Sequence, residues 1–164
     1  MRLAALALAA LALSASTAVG GRNAPTGSLS LEDGRGIVKI VGRGVLVGRI
    51  DRGSLEIQDL SPADQWSPRV NGVPRGKVVG LRGQNVLFFV PGGRYRIVAR
   101  GEGISISARG AGQAVIDGEP DATGAAGTFA IGDDAPQPLP QTRLRLVFPA
   151  SDVPAPVDSG KLRP

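Results

Sequence analysis

Apolar and polar residues alternate along most of the chain after residue 28, in short runs that glycine-containing segments separate. Alternation sends successive side chains to opposite faces of a strand, and breaks every eight or nine residues or so are typical of antiparallel sandwiches and barrels. The runs are residues 28–33, 37–42, 45–51, 54–60, 77–82, 85–90, 94–100, 103–109, 113–117, 127–131 and 142–148. We therefore predict an all-β fold, an antiparallel β-sandwich or barrel of about eight to eleven short strands, with a compact β-roll or solenoid as the alternative.

The same alternation predicts which way the side chains of most runs point. The residues expected to face the core are Leu29, Leu31, Leu55, Ile57, Tyr95, Ile97, Ala99, Ile104 and Ile106. Arg94, Arg96 and Arg100 alternate with three of these and are expected to face solvent. Positions 86–90 are all apolar, which predicts a central strand that is covered on both faces.

Arg-Gly dipeptides separate many of the apolar runs, at 35–36, 43–44, 52–53, 75–76, 82–83, 100–101 and 109–110. Glycine readily adopts the positive φ of tight hairpin turns and bulges, so these dipeptides predict turns between strands. Segments 34–60 and 93–118 share this rhythm. A duplicated half-domain and independent use of the same turn chemistry both account for the likeness.

The N-terminus has the three parts of a secretory signal peptide. Arg2 supplies the positive charge, residues 3–13 are an uninterrupted Ala/Leu run, and small residues up to Ala18 suit cleavage. We predict a signal peptide over 1–18, a flexible lead-in over 19–27, one all-β domain over 28–148 and a disordered Pro-rich tail over 149–164. The mature protein is then secreted or periplasmic, with no transmembrane segment.

Composition limits the chemistry that the chain can perform. Its 164 residues include no Cys and no His, which excludes disulfides, thiol chemistry and any catalytic triad built on imidazole. No catalytic residues stand out and no cofactor is indicated, so a non-enzymatic binding or structural module of the exported bacterial type is favoured over an enzyme. The net charge of +5 is mildly basic and comes mainly from Arg.

The best candidate for a binding surface is the row of arginines on the run 94–100. Arg94, Arg96 and Arg100 share one face of the strand, and Arg109, Arg82 or Arg75 extends that face if the neighbouring strands pair suitably. Aligned guanidinium groups suit phosphate or carboxylate, so we expect an anionic envelope polymer or a protein as the partner. The alternative is that this face is exposed to solvent without binding a partner, and that Glu56 and Glu102 are its acidic neighbours.

A long loop over 61–76 carries the only tryptophan. Trp66 is either a platform for a ligand or a cap on the end of the sheet. Export makes nucleic acid an improbable partner, and the Arg-Gly dipeptides lie between apolar strands, unlike those of disordered RNA-binding segments.

Two other functions remain open on the sequence. A carboxylate-dependent hydrolase around the 59–76 loop could draw on Asp51, Asp59, Asp64 and Asp117, among which the sequence singles out no pair. Asp59 and Asp64 also suit turns stabilised by side-chain to backbone hydrogen bonds. A calcium-stabilised adhesion domain would use Asp117, Glu119 and Asp121, which alternate as oxygen ligands do. Pro120 interrupts that spacing, and no metal ligands are assigned.

Overall fold

A computed structural model of the chain describes residues 27–74 and 80–148. This part of the chain contains no helix and has seven strands: β1 (Gly27–Asp59), β2 (Arg69–Val70), β3 (Leu81–Val90), β4 (Arg94–Gly118), β5 (Thr128–Ile131), β6 (Gln137–Pro138) and β7 (Leu144–Phe148). The all-β prediction is therefore confirmed. The predicted signal peptide, nearly all of the lead-in, Arg75 and the predicted tail lie outside the described residues.

All the strands belong to one antiparallel sheet with the order β2-β3-β1-β4-β7, and β5 pairs with both β1 and β6. Two strands dominate it, since β1 has 33 residues and β4 has 25. They pair with each other in two registers. Residues 37–43 of β1 lie between residues 94–100 and residues 111–117 of β4. Residues 44–49 of β1 pair with residues 105–110 of β4, and residues 52–59 of β1 pair with residues 95–102. The two segments of similar rhythm, 34–60 and 93–118, are thus pairing partners.

Glycines explain why the predicted short strands join into long ones. Gly44 and Gly101 sit inside β1 and β4 with φ of 128° and 136°, values that L side chains rarely adopt. Gly44 lies opposite Gly110, and Gly101 lies opposite Gly53. The prediction that these Arg-Gly dipeptides form turns between strands is wrong, because the chain continues through them in strand pairing, and the predicted number of strands is correspondingly too high.

The core-facing side of each long strand changes along its length. In β4 the buried positions up to Ala99 are odd-numbered, apart from Val98 at 9% exposure, and those from Ile104 are even-numbered; in β1 a register shift falls between Leu31 and Gly34. An extra residue in a strand reverses which side chains point inward, as a β-bulge does. Every core-facing residue predicted from the alternation is buried, and all of them belong to one apolar cluster.

The run 86–90 does not have the predicted arrangement. Phe88 is 2% exposed and its ring fills the space beside Gly48, whereas Leu87 and Phe89 are 52% and 37% exposed. The strand therefore has one buried face and one open face. The error arose because apolar residues on a solvent-facing side remove the alternation that normally reveals the open face.

Candidate anion-binding face

Strand β4 positions the three arginines that the sequence singled out. Tyr95, Ile97 and Ala99 are each 1% exposed or less, so the alternate residues Arg94, Arg96 and Arg100 project from the opposite side of the strand. All three arginines are exposed, as predicted. Their Cα atoms extend over about 20 Å, at roughly 3.3 Å per residue.

Neighbouring strands add further cations to this surface. Arg94 lies directly opposite Arg43 of β1, and Arg100 lies opposite Ser54 of β1, which in turn lies opposite Arg82 of β3. Arg82 therefore extends the arginine row, as one of the sequence-based alternatives proposed. The surface, called the basic face below, consists of the exposed residues Lys39, Arg43, Arg82, Arg94, Arg96 and Arg100, and carboxylates also occur on this side of the sheet: Glu56 opposite Val98, and Asp117 opposite Ile37 in the row of Arg100.

Ion pairs do not neutralise the basic face. Across 27–74 and 80–148, nitrogen–oxygen contacts of 4.0 Å or less join Arg35 and Arg52 to Glu102, Arg49 to Asp51, and Arg143 to Asp117. None involves a cation of the basic face. Glu102, expected beside Arg94–Arg100 in the alternative interpretation, pairs with other arginines, and Glu56 lies opposite Val98.

Hydrogen bonding leaves the arginines largely available. Arg96 donates a hydrogen bond from Nη1 to Oε1 of Gln58 at 3.3 Å. Among the described residues, no other guanidinium group of the basic face makes a hydrogen bond within the protein. An arginine has five N–H donors, so most of this capacity faces water. The face can therefore offer several charged donors at once to an anion.

Arg109 lies on a different part of the surface. It follows the point between Ala99 and Ile104 where the core-facing side of β4 changes; such points near the glycines of β1 and β4 are called bends below. Arg109 lies opposite Ser28 and Val45 of β1, whereas the basic-face arginines lie opposite residues 37–43 and 54–58. It is exposed. The structure therefore does not bring Arg109 into the rows of Arg94, Arg96 and Arg100, because the bend separates the two halves of β4.

Trp66 lies against the turn that joins β3 to β4. A Cβ added to Gly92 would be 3.2 Å from Cγ of the indole, so the ring covers this glycine while 44% of the residue stays exposed. The start of the loop is fixed nearby, since Leu60 N donates to the carbonyl oxygen of Arg94 at 2.8 Å. The position fits a cap at the end of the sheet that also borders the basic face.

The carboxylates of this loop stabilise turns. Asp59 Oδ1 accepts a hydrogen bond from Ser61 N at 2.8 Å, and Asp64 Oδ1 accepts one from Trp66 N at 2.8 Å. These are the side-chain to backbone bonds that the sequence suggested. The hydrolase hypothesis for this loop stays a prediction without a contact that favours it.

The acidic loop after β4 is also explained by local bonding. Asp121 Oδ1 accepts hydrogen bonds from Thr123 N, Thr123 Oγ1 and Ala125 N, at 2.7, 2.6 and 3.1 Å. The side-chain hydrogen bond of Thr123 is the main cause that lowers the pKa of Asp121. Among the described residues no group of three or more His, Cys, Asp or Glu side chains is arranged to hold a metal ion.

A second feature beside Arg100, which the sequence pattern did not predict, is a shallow depression of about 460 Å³. Its lining comes from three neighbouring strands and consists of Arg52, Gly53, Ser54, Arg82, Gly83, Gln84, Arg100 and Gly101. The only signal in the sequence is the spacing of three Arg-Gly dipeptides. Their alignment depends on strand register, which the sequence pattern does not give.

Comparisons with protein-family models, with curated proteins and with solved structures found no match to this chain. The described residues also contain no helix of the length and apolar character required to cross a membrane.

Proposed function

We propose that this protein is an exported, non-enzymatic binding module that holds an anionic polymer of the cell envelope on its basic face. The observation that carries the proposal is the set of six exposed cations on adjacent strands, none within 4.0 Å of a carboxylate of the described residues. Like charges placed directly opposite one another, such as Arg43 and Arg94, destabilise a sheet slightly. A bound polyanion would offset this repulsion.

The dimensions of the face favour a polymer over a small anion. Arg94 and Arg100 are separated by about 20 Å along the strand, and Arg82 and Arg100 by about 10 Å across it. A single small anion reaches one or two of these groups, whereas a chain with repeated charges reaches several. Binding by exposed guanidinium groups is largely electrostatic and weakens as salt increases.

Export is the second part of the proposal, and it rests on the sequence of the N-terminus. A positive residue, an Ala/Leu run over 3–13 and the small residues Ser16, Thr17 and Ala18 fit a leader that is cleaved before Val19. Mass spectrometry of the exported protein should give Val19 as the N-terminus. Intact Met1 in the membrane fraction would contradict export of a soluble mature chain.

We further infer that the sheet folds over on itself as a sandwich or barrel, which would make the basic face one side of a rigid body. The double pairing of residues 37–43, with 94–100 on one edge and 111–117 on the other, supports this arrangement. So does the burial of one side of each long strand in a common core. Strands that switch layers at bends are a known way to build such folds.

The proposed function is tested by removing three charges from the basic face. Arg94, Arg96 and Arg100 are changed together to Gln, and retention on a heparin or teichoic-acid matrix is measured across a salt gradient. We expect the triple variant to elute at clearly lower salt, because each lost cation removes an attraction that salt screens. Its thermal unfolding should stay close to that of the wild type, since substitutions at exposed sites usually change stability by less than about 0.5 kcal/mol each.

A charge-matched control separates a specific face from net charge. Arg49, Arg69 and Arg143 are exposed and lie outside the basic face, so their joint replacement by Gln removes the same formal charge. This control should elute close to the wild type. Equal losses in both triple variants would show that only net charge matters, and equal retention of wild type and test variant would refute the basic face as a binding surface.

A further inference from the structure

We propose that the depression between Arg82 and Arg100 is a binding site for one tetrahedral oxyanion, a phosphate or sulfate group carried by the polymer. This inference rests on the proposed function, because it assigns the chemistry of one position on the basic face. The residues that would hold the group are Arg82, Arg100 and Ser54.

Strand register places these three side chains in a single row. Ser54 of β1 lies opposite Arg82 of β3 on one edge and opposite Arg100 of β4 on the other. Adjacent strands are about 4.8 Å apart, so a short hydroxyl side chain is flanked by two long guanidinium side chains whose Cα atoms are about 10 Å apart. Both arginines can lean inward over the serine.

Glycines form part of the floor of the site. Gly53 lies opposite both Gly83 and Gly101, so three neighbouring strands carry residues without side chains in the next row. All three glycines line the depression of about 460 Å³. A Cβ at Gly53 or Gly101 would overlap the carbonyl oxygen of Arg100 or Arg52, which shows that the close approach of β1 and β4 forms part of the floor.

The charge within the depression is positive. Arg82 and Arg100 have no carboxylate of the described residues within 4.0 Å, whereas Arg52 at the rim pairs with Glu102 at 3.1 Å. Two guanidinium groups on either side of a serine repel each other in the free protein. An anion between them replaces this repulsion with two attractions.

The arrangement of donors selects a tetrahedral group over a carboxylate. A planar carboxylate is satisfied by one arginine through two parallel hydrogen bonds. Arg82 and Arg100 lie on opposite sides of Ser54 in the row, so their donors and the serine hydroxyl can reach an anion above the serine from different directions. The terminal oxygens of a phosphate or sulfate also point in different directions, and each can accept a separate bond.

The test uses the full mature chain labelled with 15N and titrated with sodium phosphate, sodium sulfate and sodium acetate at constant ionic strength. Backbone amide shifts of Gly53, Gly83 and Gly101 report binding in the depression. We expect saturable shifts with phosphate or sulfate, and at least about tenfold weaker binding of acetate, since a lost charged hydrogen bond typically costs that factor or more.

Variants identify the groups that bind. Arg82→Gln and Arg100→Gln should each weaken phosphate binding at least about tenfold, and Ser54→Ala should weaken it about threefold to tenfold. Arg94→Gln with Arg96→Gln in one chain leaves the depression intact and should preserve phosphate binding. Dispersed amide signals and an unchanged unfolding temperature verify that each variant is folded, and Arg82→Lys replaces Arg82→Gln if that variant unfolds.

The outcomes separate this inference from the proposed function. If polymer retention depends on the basic face but the glycine amides do not respond to phosphate or sulfate, the oxyanion site is wrong and the basic face stands. If acetate binds as tightly as phosphate, selection of a tetrahedral group is wrong. If Arg82→Gln abolishes the phosphate response and no polymer is retained by the wild type, the site stands and the proposed function is wrong. Competition with poly(glycerol phosphate) against heparin then distinguishes a phosphate source from a sulfate source.

Discussion

Two regions of the solvent-facing side of the sheet are built from the same two long strands and differ in chemistry. On the basic face, residues 37–43 and 94–100 present mainly Lys and Arg, with Val41 as an exposed apolar side chain opposite Arg96. Beyond the glycine bends, the same strands present a surface that we call the serine face: Ser28, Ser30, Ser105 and Ser107, with Val45 and Val47 of β1 and Leu87 and Phe89 of β3.

The residues that lie opposite one another across the strands differ between the two faces. On the serine face, Ser30 and Val47 lie on either side of Ser107, and Phe89 lies opposite Val47, whereas on the basic face Ser54 is flanked by two arginines. Small serines and the side chains of Val47 and Leu87 leave a shallow groove of about 660 Å³, bordered by charges of both signs. The bends therefore divide the surface into a region dominated by cations and one in which serines, apolar side chains and charges of both signs are mixed, with Arg109 opposite Ser28 and Val45.

The largest effect is expected from a change at the bends that join the two faces. Gly101→Ala introduces a Cβ that overlaps the carbonyl oxygen of Arg52, at a φ of 136° that alanine rarely adopts. Because the obstacle is backbone and cannot rotate away, we expect loss of the cooperative fold, a cost of more than about 3 kcal/mol. Urea unfolding followed by far-ultraviolet circular dichroism measures this.

Gly83→Ala is the matched control for the bend. Gly83 is in the same row, but a Cβ there would meet only Val86 Cγ2 at 3.6 Å, an ordinary contact. Its stability should differ from the wild type by less than about 1 kcal/mol. Similar stability of both alanine variants would contradict the view that the close glycine pairing at Gly101 is required.

The next effect distinguishes the two sides of β3. Phe88→Ala removes a ring that is 2% exposed and packs beside Gly48, so we expect a loss of about 3 to 5 kcal/mol. Phe89→Ala acts on the serine face at 37% exposure and should cost less than about 1 kcal/mol. Retention of Phe89→Ala on a polyanion matrix should match that of the wild type. Equal destabilisation by the two substitutions would restore the prediction of a strand covered on both faces.

The smallest effect concerns the core directly beneath the basic face. Tyr95 lies between Arg94 and Arg96 in sequence, is 1% exposed, and its hydroxyl has no hydrogen-bond partner in the described part of the chain. An unsatisfied buried hydroxyl is unfavourable, so Tyr95→Phe should increase the free energy of unfolding by about 1 kcal/mol at neutral pH. A decrease would show that the hydroxyl has a partner in solution.

Tyr95 also gives this region a dependence on alkaline pH. Burial raises the pKa of Tyr95 from 10.0 to about 12, because the charged phenolate is poorly solvated in the core. The folded state therefore favours the neutral phenol, a contribution that is complete below pH 10 and is lost as the pH rises through about 12. The gain in stability of Tyr95→Phe over the wild type should grow across this range, and ultraviolet titration of the single tyrosine measures its pKa directly.

Several features followed from the sequence because they depend on neighbours along the chain. Side chains alternate across any strand, so the pattern placed Tyr95, Ile97 and Ala99 in the core and Arg94, Arg96 and Arg100 in solvent before any pairing was known. The absence of Cys and His limited the chemistry in the same way. These conclusions need no information about which strands are adjacent.

Only the tertiary structure decided which residues meet across strands. Ser54 lies between Arg82 and Arg100, which are 28 and 46 positions further along the chain, and Arg109 is separated from the other arginines of its strand by a bend. Positive φ at a glycine suits a turn and a bend equally well, so the Arg-Gly dipeptides did not reveal that the strands continue. Register and bends are set by packing of the whole core. They determine both the row of Arg82, Ser54 and Arg100 and the division of the surface into two regions.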